Sequence, residues 1–276
     1  MSHPTVLISG LGLMGGSLAG ALSAAGWPVL LHHRRPGPAA EAAARGWGHA
    51  LDRLEDGAAA DLAVVCTPVS VIGPTVRAIA VATKAVITDV GSTKARLCAE
   101  LADLDARFVG SHPMAGSHRT GLDAADPRLY QNRVVITTPT INTSNVALAL
   151  IERMWEAAGA RLLRLTPNDH DRTVAEASHL PHVLACVTAA GLSTAAAPVA
   201  AGGFRDTTRV AASAPALWAD ILLDNRDAVD RCLIEAEARL DQLRRALAAG
   251  DAATVTAWLA EGSAGRQRYE AVQPTP

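Results

Sequence analysis

Aromatic side chains are scarce in this sequence: phenylalanine, tyrosine and tryptophan together make up 3% of its 276 residues. The hydrophobic fraction of 49% therefore consists mainly of alanine, leucine and valine, which favours close packing of helices on helices and of helices on sheets. Charged residues account for only 19%, so the chain can fill a hydrophobic core and is not predicted to be disordered.

A strong positive charge and long apolar runs are also missing. The formal net charge is −2, and nothing in the sequence suggests the basic face or tail expected of a protein that binds nucleic acid or a membrane surface. No apolar run approaches the ~20 residues that span a bilayer, and the start "MSHPTVLISG" does not resemble a signal peptide. We therefore predict a cytoplasmic protein with no nucleic-acid or membrane partner.

Cysteine pairs are absent as well. Cys66, Cys98, Cys186 and Cys232 lie far apart in the chain and form no C-x-x-C motif. This spacing predicts reduced, buried thiols and neither a disulfide framework nor a zinc site.

The first part of the chain alternates short apolar runs with alanine-rich helical patterns. Strands are predicted at residues 5–9, 28–33, 61–67, 85–90, 107–111, 133–138 and 161–166. Helices are predicted between them at residues 16–25, 39–45, 70–81, 94–104 and 145–158. Continuous apolar strands separated by helices indicate a parallel sheet covered on both faces.

Strand patterns stop after residue 167, and the remainder is predicted to be helical. The predicted helices cover residues 168–195, 206–223, 225–249 and 251–261. One apolar stripe repeats at three- and four-residue steps: Val229, Cys232, Leu233, Ala236, Leu240, Leu243 and Leu247. About 110 residues cannot easily bury such stripes alone, so we predict a homodimer through roughly residues 168–265. The predicted domains are 1–167 and 168–276.

A glycine-rich turn follows the first predicted strand. In "SGLGLMGGSLAGAL", three glycines fit the G-x-G-x-x-G spacing and a helical pattern follows them. The first permits a tight turn, the second lets the backbone approach a pyrophosphate, and the third lets helix and strand pack closely. The N–H groups at the helix start favour a phosphate. We predict a Rossmann-type, doubly wound domain whose cofactor site includes Gly10, Gly12, Leu13, Met14 and Gly15.

The residues after the second predicted strand bear on the choice of cofactor. An NAD site carries an acid about 20 residues beyond the glycines, where it binds the ribose 2′-OH. In this sequence His33, Arg34 and Arg35 stand there, and guanidinium groups can hold a 2′-phosphate. We therefore predict that the cofactor is NADP, with NAD as the alternative. The non-functional explanation is that these residues form an exposed basic loop. Thr67 and Pro68, after the next strand, are expected to line the same groove.

Several polar motifs carry a specific resemblance. "GLGLMGGS", "GSHPMAGSHRTG", "SHLPH" and "GGFRDTTRVAASAPALW" occur in this order along the chain. Together they resemble the prephenate/arogenate dehydrogenases of tyrosine biosynthesis over nearly the whole sequence. That family oxidises the ring carbinol of a cyclohexadiene, passes hydride to a nicotinamide cofactor, and releases carbon dioxide from the opposite ring carbon. The resemblance implies a Rossmann domain followed by an all-helical dimerisation domain.

The resemblance also implies roles for particular residues. It places the catalytic histidine at His112, its serine partner at Ser92, and the arginine that binds a substrate carboxylate at Arg209. The other substrate-pocket positions are His179, His182, Ser117 and Trp218. His170 matches a histidine near the domain junction. At His118 the sequence departs from some relatives, which carry an acid at this position. An added regulatory domain is not expected, and feedback control by tyrosine through such a domain is therefore not expected either.

These residue types suit the implied chemistry. Hydride loss from a C–OH carbon requires the hydroxyl proton to leave, and a histidine that titrates near pH ~6.5 can accept it. Pro113 restrains the backbone of His112, and Ser92 can hydrogen-bond the same hydroxyl. Arg209 offers a planar fork for one of the two carboxylates of prephenate. No metal is required, because formation of the aromatic ring drives the decarboxylation.

Structural explanations compete with these roles. His179 and His182 are three residues apart, which also permits a metal pair, and we expect one in the substrate pocket and the other hydrogen-bonded inside the domain. Asp169 and Asp171 are equally well explained as helix caps. Ser92 could cap a helix before Lys94, Arg209 could form a surface ion pair, and His112 could be an ordinary loop histidine.

Other functions remain as alternatives. A β-hydroxyacid-type dehydrogenase shares the "GLGLMG" opening but relies on a lysine in its helical region, and the only lysines here are Lys84 and Lys94. A non-catalytic NADP-binding sensor would have no use for Ser92, His112 and Arg209 together. Arogenate is the alternative substrate, although no acid in "AAGGFRD" is obviously placed for its ammonium group.

Overall fold

The computed structural model describes residues 3–104, 106–116 and 119–272. The chain divides into two compact units, Met1–Arg226 and Asp227–Pro276. The first contains all the strands found in the described residues, together with the helices that follow them. The predicted boundary at residues 167/168 follows the change from strands to helices and stays a prediction.

A five-stranded parallel sheet forms the centre of the first unit. Its strands are β1 Val6–Ser9, β2 Val29–His32, β3 His49–Ala50, β4 Leu62–Val65 and β5 Val86–Asp89. They lie in the order β3-β2-β1-β4-β5, so the order reverses beside β1. Ligands bind at such a reversal, outside the carboxyl ends of the strands. The predicted doubly wound fold is confirmed.

Helices cover both faces of this sheet. They are α1 Leu13–Ala24, α2 Pro36–Ala44, α3 Val69–Ala82, α4 Ala95–Glu100 and α5 Asn145–Ala157. Side chains alternate across β1: Ile8 packs into the core with α1, α2 and α5, whereas Leu7 packs into the core with α3 and α4. Both side chains are fully buried, as a sheet with two covered faces requires.

Three further strands form a separate, mixed sheet. They are β6 Gly110–Pro113, β7 Val134–Thr138 and β8 Arg161–Arg164. β6 pairs antiparallel with β7, whereas β7 and β8 are parallel. The predicted strands at 107–111, 133–138 and 161–166 therefore lie in this second sheet and not in the parallel sheet where they were expected. An isolated bridge between Ile87 and Phe108 links this part of the chain to β5.

The remaining helices of the first unit are α6 Pro167–Val174, α7 Leu180–Ala190, α8 Gly202–Thr208 and α9 Pro215–Asp224. A π-helical turn, Ala175–His179, joins α6 to α7. Pro181 lies one turn further on and has no N–H to donate, so the regular helical ladder is interrupted here. Such widened turns are frequent at functional sites.

The second unit is built on two long helices, α10 Arg226–Ala249 and α11 Ala252–Val272. Gly250 adopts a positive φ of 65° in the turn between them, and the Asp251 carboxylate accepts a hydrogen bond from the N–H of Thr254. Several apolar side chains of this unit are more than half exposed: Ile234, Leu240, Leu247, Leu259, Tyr269 and Val272. The predicted stripe of α10 is therefore only partly covered within one chain.

No disulfide joins the four cysteines, all of which lie within the described residues. Cys98 is buried, but Cys186 is exposed on α7, so the prediction that all four would be buried was wrong. No helix in the described part of the chain has the length and apolar character needed to cross a membrane.

Candidate active site

The glycine turn between β1 and α1 is open on one side and tightly packed on the other. Gly10 has φ +101°, and a Cβ there would lie 2.6 Å from the carbonyl oxygen of Cys66. A Cβ on Gly15 would lie 1.9 Å from the Gly10 oxygen, whereas one on Gly12 would meet nothing within 4 Å. The helix start also has no side-chain cap and no acid in its first turn. This arrangement leaves backbone N–H groups free for an anion.

A groove of ≈ 420 Å³ lies along the carboxyl ends of β1, β2 and β4. The predicted cofactor residues that line it are Gly10, Gly12, His33, Arg34, Arg35, Thr67 and Pro68. Leu13, Met14 and Gly15 are not among its lining residues and lie in the first turn of α1. The hydroxyl of Thr67 is buried and has no hydrogen-bond partner among the described residues, as expected of a group that a ligand completes.

The basic loop after β2 is held in place by its own histidine. The Arg35 N–H donates to His33 Nδ1 at 3.0 Å, which closes a tight turn. Both Arg34 and Arg35 are exposed, and within the described part of the chain their guanidinium groups form no hydrogen bond or ion pair. Two unpaired guanidinium groups at the edge of a groove suit a phosphate.

A buried ion pair organises the turn that carries Ser92, between β5 and α4. The Lys94 Nζ lies 2.5 Å from Asp89 Oδ2, and both side chains are fully buried. The other oxygen of Asp89 accepts a hydrogen bond from the N–H of Ser111 at 3.1 Å, which ties this turn to β6. Ser92 itself is half-buried and makes no side-chain hydrogen bond with the described residues.

His112 lies inside β6, opposite Ile136 of β7, rather than in a loop after a strand. Its side chain is 8% exposed. His112 forms a hydrogen bond with His170, and the distance between Nδ1 of His112 and Nε2 of His170 is 2.9 Å. Burial lowers the pKa of the His112 imidazole well below its ordinary value, and neighbouring His170, Lys94 and His179 lower it further. The ring is therefore neutral at physiological pH and able to accept a proton.

Asp171 anchors the other side of His170. Its carboxylate lies 2.7 Å from His170 Nδ1 and also accepts the backbone N–H groups of Lys94 and Ala95. Burial by itself would raise the pKa of this carboxyl, but the hydrogen bonds from His170, Ala95 and Lys94 hold the pKa below its ordinary value. Asp171 is thus ionised within the protein. Its carboxylate caps the start of α4, rather than its own helix, and also holds His170.

Asp169 does serve the start of α6. Thr166 caps this helix by accepting the N–H of Asp169 at 3.1 Å, and the Asp169 carboxylate pairs with Arg172 one turn on. Its side chain is partly exposed, at 43%. Of the two aspartates in "NDHD", only Asp171 faces the buried cluster.

The π-helical turn brings His179 and His182 to Trp218. The rings of His182 and Trp218 stack with centroids 3.5 Å apart, and His179 meets Trp218 edge-on at 5.9 Å. His179 Nδ1 lies 3.2 Å from the amide nitrogen of Asn225, whereas His182 Nδ1 is buried and lacks a hydrogen-bond partner among the described residues. One ring is thus held inside the protein and the other has an unused polar atom, a combination that suits a substrate pocket. Within the described chain, no three His, Cys, Asp or Glu side chains form a metal-binding group.

The remaining predicted residues are less closely connected. Arg209 is exposed in a 3₁₀ turn that packs against α7, and no described residue forms a hydrogen bond or ion pair with its guanidinium group. Ser117 and His118 lie outside the described residues.

Comparison with known proteins shows the family to which this chain belongs. Residues 18–164 match the model of the prephenate dehydrogenase nucleotide-binding domain, and residues 166–261 match that of the prephenate dehydrogenase dimerization domain. The chain belongs to the prephenate dehydrogenase family. The resemblance drawn from the sequence motifs is thereby confirmed.

Individual family members resemble this chain over most of its length. A cyclohexadienyl dehydrogenase of Zymomonas mobilis is 37% identical over 261 residues, which are 89% of each protein. The structure of prephenate dehydrogenase from Aquifex aeolicus with hydroxyphenyl propionate and NAD⁺ has a TM-score of 0.89 and 29% identity, covering 98% of this chain and 99% of that one. Arogenate dehydrogenase from Synechocystis has a TM-score of 0.86 and 30% identity, covering 96% and 99%.

Sequence reasoning missed several residues of the buried cluster in this family member. Asp89, Lys94 and Asn225 were assigned no role, and Asp171 was left open between a helix cap and a functional residue. One signal was available, because Asp89 ends a predicted strand and carboxyl ends of neighbouring strands meet at one edge of a sheet. Asp171 contacts Lys94, and Asn225 contacts His179. The two residues of each pair are far apart in the sequence, so a local pattern cannot predict these contacts.

Proposed function

We propose that this chain oxidatively decarboxylates prephenate to 4-hydroxyphenylpyruvate and passes the hydride to NADP. The observation that carries the proposal is the buried, neutral imidazole of His112, at the edge of a cluster with His179, His182 and Trp218, in a member of the prephenate dehydrogenase family. The cofactor is a nicotinamide dinucleotide, which the nucleotide-binding domain and the open glycine turn both support.

In the proposed mechanism His112 is the general base. When bound, the nicotinamide ring supplies the hydride acceptor. As the C–H bond of the ring carbinol breaks, His112 Nε2 takes the hydroxyl proton. The bond to the ring carboxylate then breaks, carbon dioxide leaves, and the bonding electron pair completes the aromatic ring. His112 returns its proton to the phenolate oxygen, so the histidine is regenerated and no metal is needed.

Five other residues are proposed to hold the substrate or its hydroxyl. Arg209 offers a fork of N–H donors to one carboxylate, supported by a guanidinium that is exposed and forms no ion pair with the described residues. His182 offers a buried Nδ1, with no hydrogen-bond partner in the described part of the chain, beside the flat face of Trp218. Ser92 can hydrogen-bond the reacting hydroxyl, and His179 is proposed to border the same pocket. Ser117 is proposed from the resemblance alone.

The two candidate substrates differ at one group, a keto group in prephenate and an ammonium in arogenate. The acid closest to Arg209 in the motif is Asp206, and its carboxylate pairs with Arg205 at 3.1 Å. This carboxylate is exposed and already paired with Arg205, so it is not obviously placed for an ammonium group, which favours prephenate. Arogenate is the alternative.

The test of this proposal is cofactor reduction by purified protein, followed by absorbance of the reduced nicotinamide. Prephenate and arogenate are each supplied with NADP and with NAD, and kcat/KM is compared across the four combinations. Prephenate with NADP should give the highest value. No reduction with either substrate would refute the proposed activity, and a higher value with arogenate would replace the substrate.

The preference for NADP is proposed from the unpaired Arg34 and Arg35. Replacing both with alanine should lower kcat/KM with NADP by about ten-fold or more, because each charge-assisted hydrogen bond contributes roughly 1.5–3 kcal/mol. The value with NAD should change little. Arg53→Ala is the matched control, since Arg53 is exposed and does not line the groove. Wild-type protein that uses NAD at least as well as NADP would contradict the proposal.

The dimer is proposed from the partly exposed stripe of α10 and from the dimerization domain of the family. Light scattering at micromolar concentration should return twice the chain mass of 28.5 kDa. Leu240→Asp combined with Leu247→Asp should shift the protein toward monomer, whereas Gln242→Glu on the same helix should not. A monomer mass for the wild type would refute the proposal. A cytoplasmic location stays a prediction from the sequence.

A further inference from the structure

Two buried side chains, those of His170 and Asp171, lie in line behind His112, the proposed base. His112 Nδ1 lies 2.9 Å from His170 Nε2, and His170 Nδ1 lies 2.7 Å from Asp171 Oδ1. The exposed fractions of the three residues are 8%, 0% and 5%, so water does not compete for these hydrogen bonds.

The direction of each hydrogen bond follows from the ionised carboxylate. Asp171 can only accept, so the Nδ1 of His170 must carry a hydrogen and donate it. In a neutral imidazole the other nitrogen then has a lone pair, and Nε2 of His170 must accept from Nδ1–H of His112. By the same rule, Nε2 of His112 is left as the unprotonated nitrogen.

Further contacts hold this line of groups in place. The two carboxylate oxygens of Asp171 accept the N–H groups of Lys94 and Ala95, at the start of α4. Asn225 donates to the backbone oxygen of Asp171 at 2.8 Å and so ties α6 to the end of α9. The carboxylate of Asp171 therefore cannot turn away from His170 without breaking its hydrogen bonds to α4, and the Asn225 contact fixes its backbone.

We propose that His170, supported by Asp171, is a positioning residue that holds His112 in the tautomer whose Nε2 faces the substrate as a base. The proposal rests on the proposed function, which makes His112 the base. His170 also accepts a hydrogen bond from Nδ1–H after His112 has become a cation, which stabilises the protonated ring next to the negative charge of Asp171.

The other charges around His112 do not supply this support. Lys94, from the turn after β5, is a cation whose charge is paired with Asp89. His179, from the π-helical turn, is neutral at physiological pH because burial lowers its pKa to about 4. Among the described residues, the carboxylate that hydrogen bonds connect to the His112 ring is that of Asp171, and the connection runs through His170.

The tautomer can be measured without any substrate. Protein labelled with ¹⁵N in histidine is examined by NMR, and His112→Asn identifies the His112 signals. In the wild type, Nδ1 of His112 should carry the hydrogen and Nε2 should not. A wild-type ring with hydrogen on Nε2 would overturn the proposal, whether or not the enzyme uses prephenate.

A matched pair of variants tests the effect on the rate. His170→Leu removes the acceptor for Nδ1–H, so both tautomers should appear in the spectrum and kcat should fall about ten-fold with KM unchanged. His170→Gln presents an amide oxygen in place of Nε2 and should restore the single tautomer and most of kcat. Thermal melting confirms that each variant folds. A His170→Leu protein that keeps the wild-type tautomer and kcat would refute the role of His170. In contrast, failure of the proposed function would appear as a wild type without activity on prephenate.

Discussion

Replacing His112 with asparagine is expected to lower kcat by at least about 100-fold, because general-base catalysis contributes roughly 10²–10⁴ in rate. Asparagine can still hydrogen-bond the substrate hydroxyl but cannot accept its proton at neutral pH. KM, cofactor affinity and thermal stability should therefore change little. Steady-state kinetics of cofactor reduction and a melting curve measure these quantities.

The pH dependence of kcat provides the second part of this test. The base works only as neutral imidazole, so activity is present above its pKa and is lost as the pH falls through that value. Burial, followed by His170, Lys94 and His179, lowers the pKa of His112 well below its ordinary value. The acid limb should consequently lie below pH ~6.5, the value expected of a solvent-exposed histidine.

His49→Asn is the control, because His49 is an exposed histidine on β3. It should keep both the wild-type rate and the acid limb. A His112→Asn protein within about ten-fold of wild type that still shows the same acid limb would mean that the base lies elsewhere. His179 and His182 would then be the next candidates.

Replacing Arg209 with glutamine is expected to raise KM for prephenate by about 100-fold. A forked pair of charge-assisted hydrogen bonds contributes at least about 3 kcal/mol, which corresponds to roughly two decades in affinity. Since this contact is made in the ground-state complex, kcat should change less than KM. Cofactor affinity, measured by direct titration, should not change.

Arg205→Gln is the matched control for Arg209. Arg205 lies one turn earlier in the same motif and is already paired with Asp206. If KM rises in this variant and not in Arg209→Gln, the carboxylate is held by Arg205. If KM stays at the wild-type value in Arg209→Gln, Arg209 has no role in substrate binding.

Local sequence patterns were sufficient to predict the parallel sheet but not the second sheet. The runs around β1, β2, β4 and β5 are short, apolar and separated by helices, which is typical of strands buried on both faces. The run before His112 has the same character, yet β6 turns away to pair antiparallel with β7. A short apolar run contains no information on which strand it joins or in which direction, because that choice depends on residues far along the chain.

The candidate site divides in the same way. Glycine spacing, the basic loop and the motif around His112 were visible as patterns, because each depends on residues close together in the chain. In contrast, "NDHD" alone could not separate Asp169, which pairs with Arg172 on the surface of α6, from Asp171, which is buried. The two aspartates differ because they lie on different sides of α6, and only one side faces β6 and α4. The packing of α6 against these elements determines which side that is.

The sequence by itself determined the doubly wound fold, the glycine turn, the family and the position of His112 as the candidate base. These features depend on backbone conformation and on short-range patterns, which residue type and spacing control directly. Only the tertiary structure decided the partners of the site. Among these are the buried pair of Lys94 and Asp89, the stacking of His182 on Trp218 and the line from His112 through His170 to Asp171. The physical reason is that a buried polar group is costly without a partner, and the chain path, rather than local sequence, determines which groups are within reach.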